Sequence, residues 1–264
     1  MLSPLPLHTA VYPSASAGVP LVILHGFLGA GGNWHTLARR FATRRTVLVP
    51  DARNHGRSPH TDAFSYEAMA ADVGAVLDAH GLDRAAFVGH SMGGKTAMHL
   101  ALTRPERVER LVVVDIAPGV SPASHAPILD ALAEIDLARL TQRAEVEAAL
   151  AANVPDADTR GFLLKSLQRT PDGFRWALNV PVLRAHTGTV GAGIAGTLPA
   201  GIRPYAGPTR FVRGGRSRYV TDADLPEIER LFPTADLVTI EGAGHWVHAE
   251  APDALFEAVE AFLA

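Results

Sequence analysis

A doubly wound, mostly parallel α/β sheet carrying an inserted helical cap is the architecture this sequence predicts. Three observations predict it. Short apolar runs alternate with amphipathic segments from Leu21 to Ala117, the rhythm of a parallel sheet flanked by helices. Ala85 to Leu102 reads strand, glycine turn, helix. After Pro118 strand signals lapse, to resume at Thr209. The predicted layout is a core of residues 1–117 and 208–264, with residues 118–207 inserted as a cap.

Leu21-Val22-Ile23-Leu24 is apolar throughout, as a strand buried on both faces requires, and runs into His25-Gly26-Phe27-Leu28-Gly29. Asn33 suits the start of a helix reaching Phe41. Thr46 to Val49 is the next strand, ending at Pro50-Asp51, before a polar loop, Arg53 to Ser58. Ser65 can cap a helix that places Met69, Val73, Val76 and Leu77 on one face and closes at Gly81. Ala85 to Val88 is the central strand, and Leu111 to Ile116 is another. In the insertion, Ile128–Leu140 and Ala144–Ala152 read as helices, followed by a glycine-rich return from Thr187 to Gly207. Thr209–Arg213 and Leu237–Ile240 restore the sheet, and Pro252 opens a final helix through Leu263.

Composition narrows the chemistry. The 264 residues carry a net charge of −3 with no basic block, and no nucleic-acid partner is expected. There are no cysteines, which excludes thiol catalysis, thiolate metal sites and disulfides. No window approaches the ~20 apolar residues of a spanning helix, and the N-terminus lacks the pattern of a signal peptide. A cytoplasmic monomer or homodimer, with no cofactor and no metal, is the expectation.

Gly89-His90-Ser91-Met92-Gly93 has the G-x-S-x-G form of a nucleophile elbow, in the strand–turn–helix context such an elbow needs. The same stretch, Gly89 to Thr96, also reads G-x-x-x-x-G-K-[ST], a phosphate loop. That rival needs Lys95 on phosphates and Asp115 on magnesium, whereas on the elbow reading Lys95 is an ordinary helix residue. The rest of the chain favours the elbow. His245 follows the last strand on a glycine-rich loop, with His248 its rival as general base. The order Ser91, Asp115, His245 is that of a hydrolase. Main-chain N–H groups of Phe27 and Met92 are candidates for an oxyanion hole. His25, His90 and Asp51 read as residues that fix loops, Asp51 with Arg53 as a local partner.

With these residues assembled, the chain resembles the α/β-hydrolase superfamily over its whole length, in particular the YbfF-type esterases and the related mitochondrial α/β-hydrolase-domain proteins. The stretches that carry the likeness are His25 to Gly29, Arg53 to Ser58, Gly89 to Lys95, Val114 to Pro118, Asn179 to Leu183, Arg213 to Ser217 and Gly242 to Glu250. The resemblance implies a serine esterase or thioesterase acting on acyl esters of short to medium chain, without a cofactor. A carbon–carbon bond hydrolase or lyase on the same residues is the alternative within the superfamily. Many members place the acid after the strand matching Phe211–Arg213, where this chain reads Gly214-Gly215-Arg216-Ser217. Asp115 is therefore the expected acid, with Ser217 as a possible auxiliary hydrogen-bonding group. His25 and Trp176 are candidate substrate contacts, and Phe162, Leu163, Phe174 and Leu183 could line the pocket or fill the cap.

Overall fold

The computed structural model describes residues 3–121, 125–171 and 173–264. Its strands are β1 (Thr9–Tyr12), β2 (Leu21–Leu24), β3 (Val47–Pro50), β4 (Ala85–His90), β5 (Val108–Val114), β6 (Leu167–Thr170), β7 (Gly173–Trp176), β8 (Thr209–Gly214) and β9 (Ala235–Ile240). Seven of them form one sheet in the order β1-β3-β2-β4-β5-β8-β9, parallel except for β1, which pairs antiparallel with β3. The helices are α1 (His35–Phe41), α2 (Tyr66–Ala79), α3 (Met92–Thr103), α4 (Ala126–Glu134), α5 (Arg143–Ala151), α6 (Ala157–Leu163), α7 (Val180–Ala185), α8 (Thr187–Gly191), α9 (Leu225–Leu231), α10 (Val247–Glu250) and α11 (Pro252–Leu263).

The apolar runs divide between two cores because successive strand residues face opposite ways. Leu21, Ile23, Val47, Val49, Ala86, Val88, Val112 and Val114 pack with α1 and α11. Val22, Leu24, Leu48, Phe87, Leu111, Val113 and Phe211 pack with α2 and α3. Both faces are covered, which is why these strands read as continuous apolar runs.

Register sets up the site. Leu24 pairs with Gly89, and His90 pairs with Val114. Ser91 and Asp115 thus follow paired residues at the carboxyl ends of adjacent strands, where α/β sheets hold their ligands. The Ser91 N–H donates to Val114 O at 3.0 Å, and the Asp115 N–H to Val212 O at 2.8 Å.

Several expectations need correction. Edge strand β1 and helix α9 were not anticipated. Asn33 is not a helix cap: its Oδ1 accepts from the Ala30 N–H at 2.7 Å in a single turn that precedes α1. The expected helix Ile128–Leu140 stops at Glu134, because Ile135 is extended, and a short turn at Leu137–Arg139 follows. The inserted stretch is not free of strands either. β6 and β7 form an antiparallel hairpin whose turn uses Gly173 at φ +127°. Four-residue strands are too short to show a period of two, so only the turn glycine marked them.

The phosphate-loop reading is overturned. Gly93 through Thr96 already lie in α3, so no loop is left to wrap a phosphate. The Lys95 side chain is fully buried, and its ammonium donates to Gly119 O, Ser121 Oγ and Ala192 O at 2.8, 2.9 and 2.6 Å. Lys95 is therefore neither a phosphate ligand nor an ordinary helix residue.

Candidate active site

Ser91 occupies the turn between β4 and α3 with φ +52°, a left-handed conformation that only a well-supported site retains. The support is close packing of main chain. A Cβ at Gly89 would lie 2.4 Å from Gly93 O, and one at Gly93 would lie 2.3 Å from Leu24 O. Only glycine fits at either place, and the result is a Ser91 hydroxyl raised above the sheet at the start of α3.

His245 stands in the loop between β9 and α10 and meets both partners. Its Nε2 is 3.1 Å from Ser91 Oγ, and its Nδ1 is 2.7 Å from Asp115 Oδ2. Asp115 is fully buried, with φ +51° at the end of β5. Its Oδ1 accepts the Gly214 N–H at 2.9 Å, and its Oδ2 also accepts the Ser217 hydroxyl. A carboxylate buried among three donors is the form in which its charge is tolerated. Ser217 in turn accepts the Tyr219 N–H at 3.2 Å. Asp222, the next carboxylate along the chain after Ser217, pairs with Arg213 at 2.8 Å.

Two groups hold His245: Tyr219, unforeseen in the sequence, and His90, expected there as a loop-fixing residue. The Tyr219 ring stacks on it with centroids 3.7 Å apart and planes 15° from parallel. The ring of His90 binds the His245 carbonyl oxygen through Nε2 at 2.8 Å. Tyr219 lies two residues past Ser217 in a loop with no periodicity, so position alone could have suggested it. His248, the rival base, stacks on Trp34 at 4.7 Å, and the hydrogen bond to Ser91 Oγ comes from His245 instead.

The Leu28 N–H is bound by His55 Nε2 at 3.3 Å, whereas the N–H groups of Phe27 and Met92 have no hydrogen-bond partner among the described residues. His25 lines the cavity, but its nitrogens are occupied: Nδ1 donates to Gly26 O at 2.8 Å and Nε2 accepts the Ala52 N–H at 2.9 Å. It fixes the loop, and its ring lines the cavity with both nitrogens already engaged. The expected role of Trp176 is corrected. It is buried in the inserted segment, where its indole N–H donates to Leu132 O at 3.2 Å, and it does not line the cavity. Asp51 is a loop-fixing residue, accepting the Gly31 and Arg57 N–H groups at 2.7 and 2.9 Å, but Arg53 pairs with Asp72 instead.

The cavity above Ser91 measures about 200 Å³. Phe27 and Leu28 form one wall, and the inserted segment supplies His125, Ile128, Phe162 and Leu163. Phe162 stacks on Trp246 at 5.2 Å, and His125 packs on Phe27 at 5.0 Å. Phe174 and Leu183 lie outside this lining. No cluster of three or more His, Asp or Glu fit to hold a metal occurs among the described residues. No helix among them is long and apolar enough to cross a membrane.

The histidines around the site are kept neutral. Burial pushes His55 and His248 down to about 3 and His125 to about 4, and His90 is lowered by burial with His245 and His248 beside it. Each titrates near 6.5 in an unfolded chain, so unfolding in mild acid takes up protons. Stability should therefore be fully present above pH 6.5 and fall as pH drops toward 4. The expected slope is at most about 1.4 kcal/mol per pH unit for each such histidine. Melting temperatures between pH 7 and 5, a window above most carboxylate titrations, check this. A flat or rising trend would contradict it.

Residues 19–252 match the family described as the alpha/beta hydrolase fold. The chain is 42% identical over 271 residues to the sn-1-specific diacylglycerol lipase ABHD11 of Mus musculus, a match covering 100% of this chain and 87% of the relative. It is 37% identical over 246 residues to Esterase YbfF of Escherichia coli, covering 92% of each. A solved structure titled "Marine microorganism esterase" superposes with a TM-score of 0.91 at 39% identity, covering 98% of this chain and 99% of that one. With a serine, a histidine and a buried carboxylate joined in line at the strand ends, the chain belongs to the α/β-hydrolase family, within its YbfF and ABHD branch, and is an enzyme of the serine-hydrolase type.

Proposed function

We propose that this enzyme hydrolyses short-chain acyl esters, or thioesters, through an acyl intermediate on Ser91. The observation that carries the reading is the unbroken line from Ser91 Oγ to His245 Nε2 and from His245 Nδ1 to the buried Asp115 carboxylate. His245 takes the Ser91 hydroxyl proton as Oγ attacks the acyl carbon. The N–H groups of Phe27 and Met92 receive the oxyanion. When the tetrahedral species collapses, Nε2 returns the proton to the departing alcohol or thiol. Water then enters and gives a proton to the same nitrogen as its oxygen attacks the acyl carbon; the acid leaves as the bond to Ser91 Oγ breaks and Oγ takes that proton back. Asp115 keeps the Nδ1 proton in place and balances the imidazolium charge.

The chain-length preference follows from the cavity. Its 200 Å³ lies below the roughly 300–1,000 Å³ usual for small-molecule sites, and apolar groups dominate its walls. The inserted segment acts in this reading as a cap that limits the acyl group. The relatives named esterase and lipase are consistent with ester cleavage.

A fluorophosphonate should label Ser91 covalently, and Ser91→Ala should lose both labelling and turnover across a panel of acyl esters and thioesters of rising chain length. Rates should be highest for short chains. Turnover surviving in Ser91→Ala, or label on another residue, would refute the proposal.

A further inference from the structure

The Gly-Lys-Thr of the elbow helix has no place in the chemistry above, yet Lys95 is among the most deeply buried side chains of the protein. Burial lowers its ammonium to about 8, with Glu227 pulling the other way. At neutral pH it is charged and offers three N–H donors. It has three acceptors, and they come from both ends of the 118–194 part of the inserted segment. Gly119 O and Ser121 Oγ lie on the outgoing chain, and Ala192 O lies on the returning one. The two ends also bind each other: Ser121 N–H donates to Gly191 O at 2.8 Å, and Ile194 N–H donates to Pro118 O at 2.9 Å. The hydroxyl of Tyr66, whose ring faces the ammonium at 6.0 Å, donates to Val190 O at 2.9 Å.

Lys95 sits one turn after the nucleophile, and its own N–H donates to Ser91 O at 3.0 Å. One rigid turn of α3 therefore carries Ser91 at its start and the ammonium at its end. The segment held by that ammonium supplies His125, Ile128, Phe162 and Leu163 to the cavity. We propose that Lys95 is a positioning residue that registers the inserted segment against Ser91 and thereby sets which acyl groups fit beneath it. The proposal rests on the ester-hydrolase reading of Ser91. Lys95 touches no reacting atom, so its effect belongs to the binding of bulky acyl groups and not to proton transfer.

Lys95→Met keeps the length of the side chain and removes its donors, leaving buried oxygens unpaired. Such a loss corresponds to about tenfold or more in the equilibrium that holds the two ends together. Hydrogen exchange at the Ser121 and Ile194 amides should then accelerate about tenfold or more, while the amides of β4 and β5 stay protected. In the same variant, KM for a hexanoyl ester should rise about tenfold, whereas kcat for an acetyl ester stays within about twofold of wild type. Unchanged exchange at both amides would overturn the proposal, as would equal kinetic losses for the acetyl and hexanoyl esters. Should Lys95→Met fail to fold, Ser121→Ala removes a single acceptor, and it must show the same two trends in smaller measure or the proposal falls. The exchange measurement needs no turnover, so it separates failure of the clasp from failure of the ester reading.

Discussion

Asp115→Asn is expected to fold like the parent and to lose about 10⁴-fold in turnover, the size measured for the corresponding change in a serine protease. The Gly214 N–H and the Ser217 hydroxyl both need an acceptor at this place. An asparagine can satisfy the first through its oxygen, but then turns its NH₂ toward His245. Nδ1 must then lose its proton, and Nε2 presents N–H to Ser91 where a lone pair is needed. The buried charge that would balance the imidazolium is gone as well. Ser217→Ala leaves that charge intact and should lower the rate by only about tenfold, the scale of one hydrogen bond. Asp222→Asn, on an exposed pair with Arg213, should be nearly silent. Steady-state kinetics of the three variants, with circular dichroism to check folding, test the ranking. If Asp115→Asn kept its rate within tenfold while Asp222→Asn did not, the acid would be misassigned.

His245→Ala should be at least as damaging, about 10⁴- to 10⁶-fold, because Ser91 loses the base hydrogen-bonded to its hydroxyl. His248→Ala removes a ring stacked on Trp34 and should cost less than about tenfold in rate, together with some stability from lost packing. The reverse order would mean that the loop after β9 presents the wrong histidine.

Much of this site was legible in the sequence because its parts are marked by glycine and by strand ends. Gly89 and Gly93 are required by main-chain contacts, so the elbow has a local signature. Asp115 and His245 follow apolar runs, and a parallel sheet gathers such ends on one side. The choice of Asp115 over the usual position rested on the plain lack of a carboxylate at Gly214 to Ser217. What escaped notice acts across long sequence distances through side chains with other common uses. Tyr219 on His245 and Lys95 on Gly119 and Ala192 leave no local pattern, and for His90 the sequence offers a loop-fixing role without its partner. Trp176 and Phe162 are both aromatics of the inserted segment, and only the fold decides that one packs inward while the other faces the cavity. Strand β1 was missed because an edge strand need not be apolar, and its burial is only partial.

The two ends of the 118–194 part of the inserted segment meet within hydrogen-bond distance of each other. To the sheet, the 118–194 stretch is thus a closed loop of no particular length, and loop length weighs only logarithmically on folding free energy. A roof of another size or shape can be spliced between these points while Ser91, Asp115 and His245 keep their strands and their bonds to one another. Substrate range can then diversify by exchange of one continuous piece of gene, with the hydrolytic centre inherited whole. For protein engineering, the same junction is the natural place to graft a cassette.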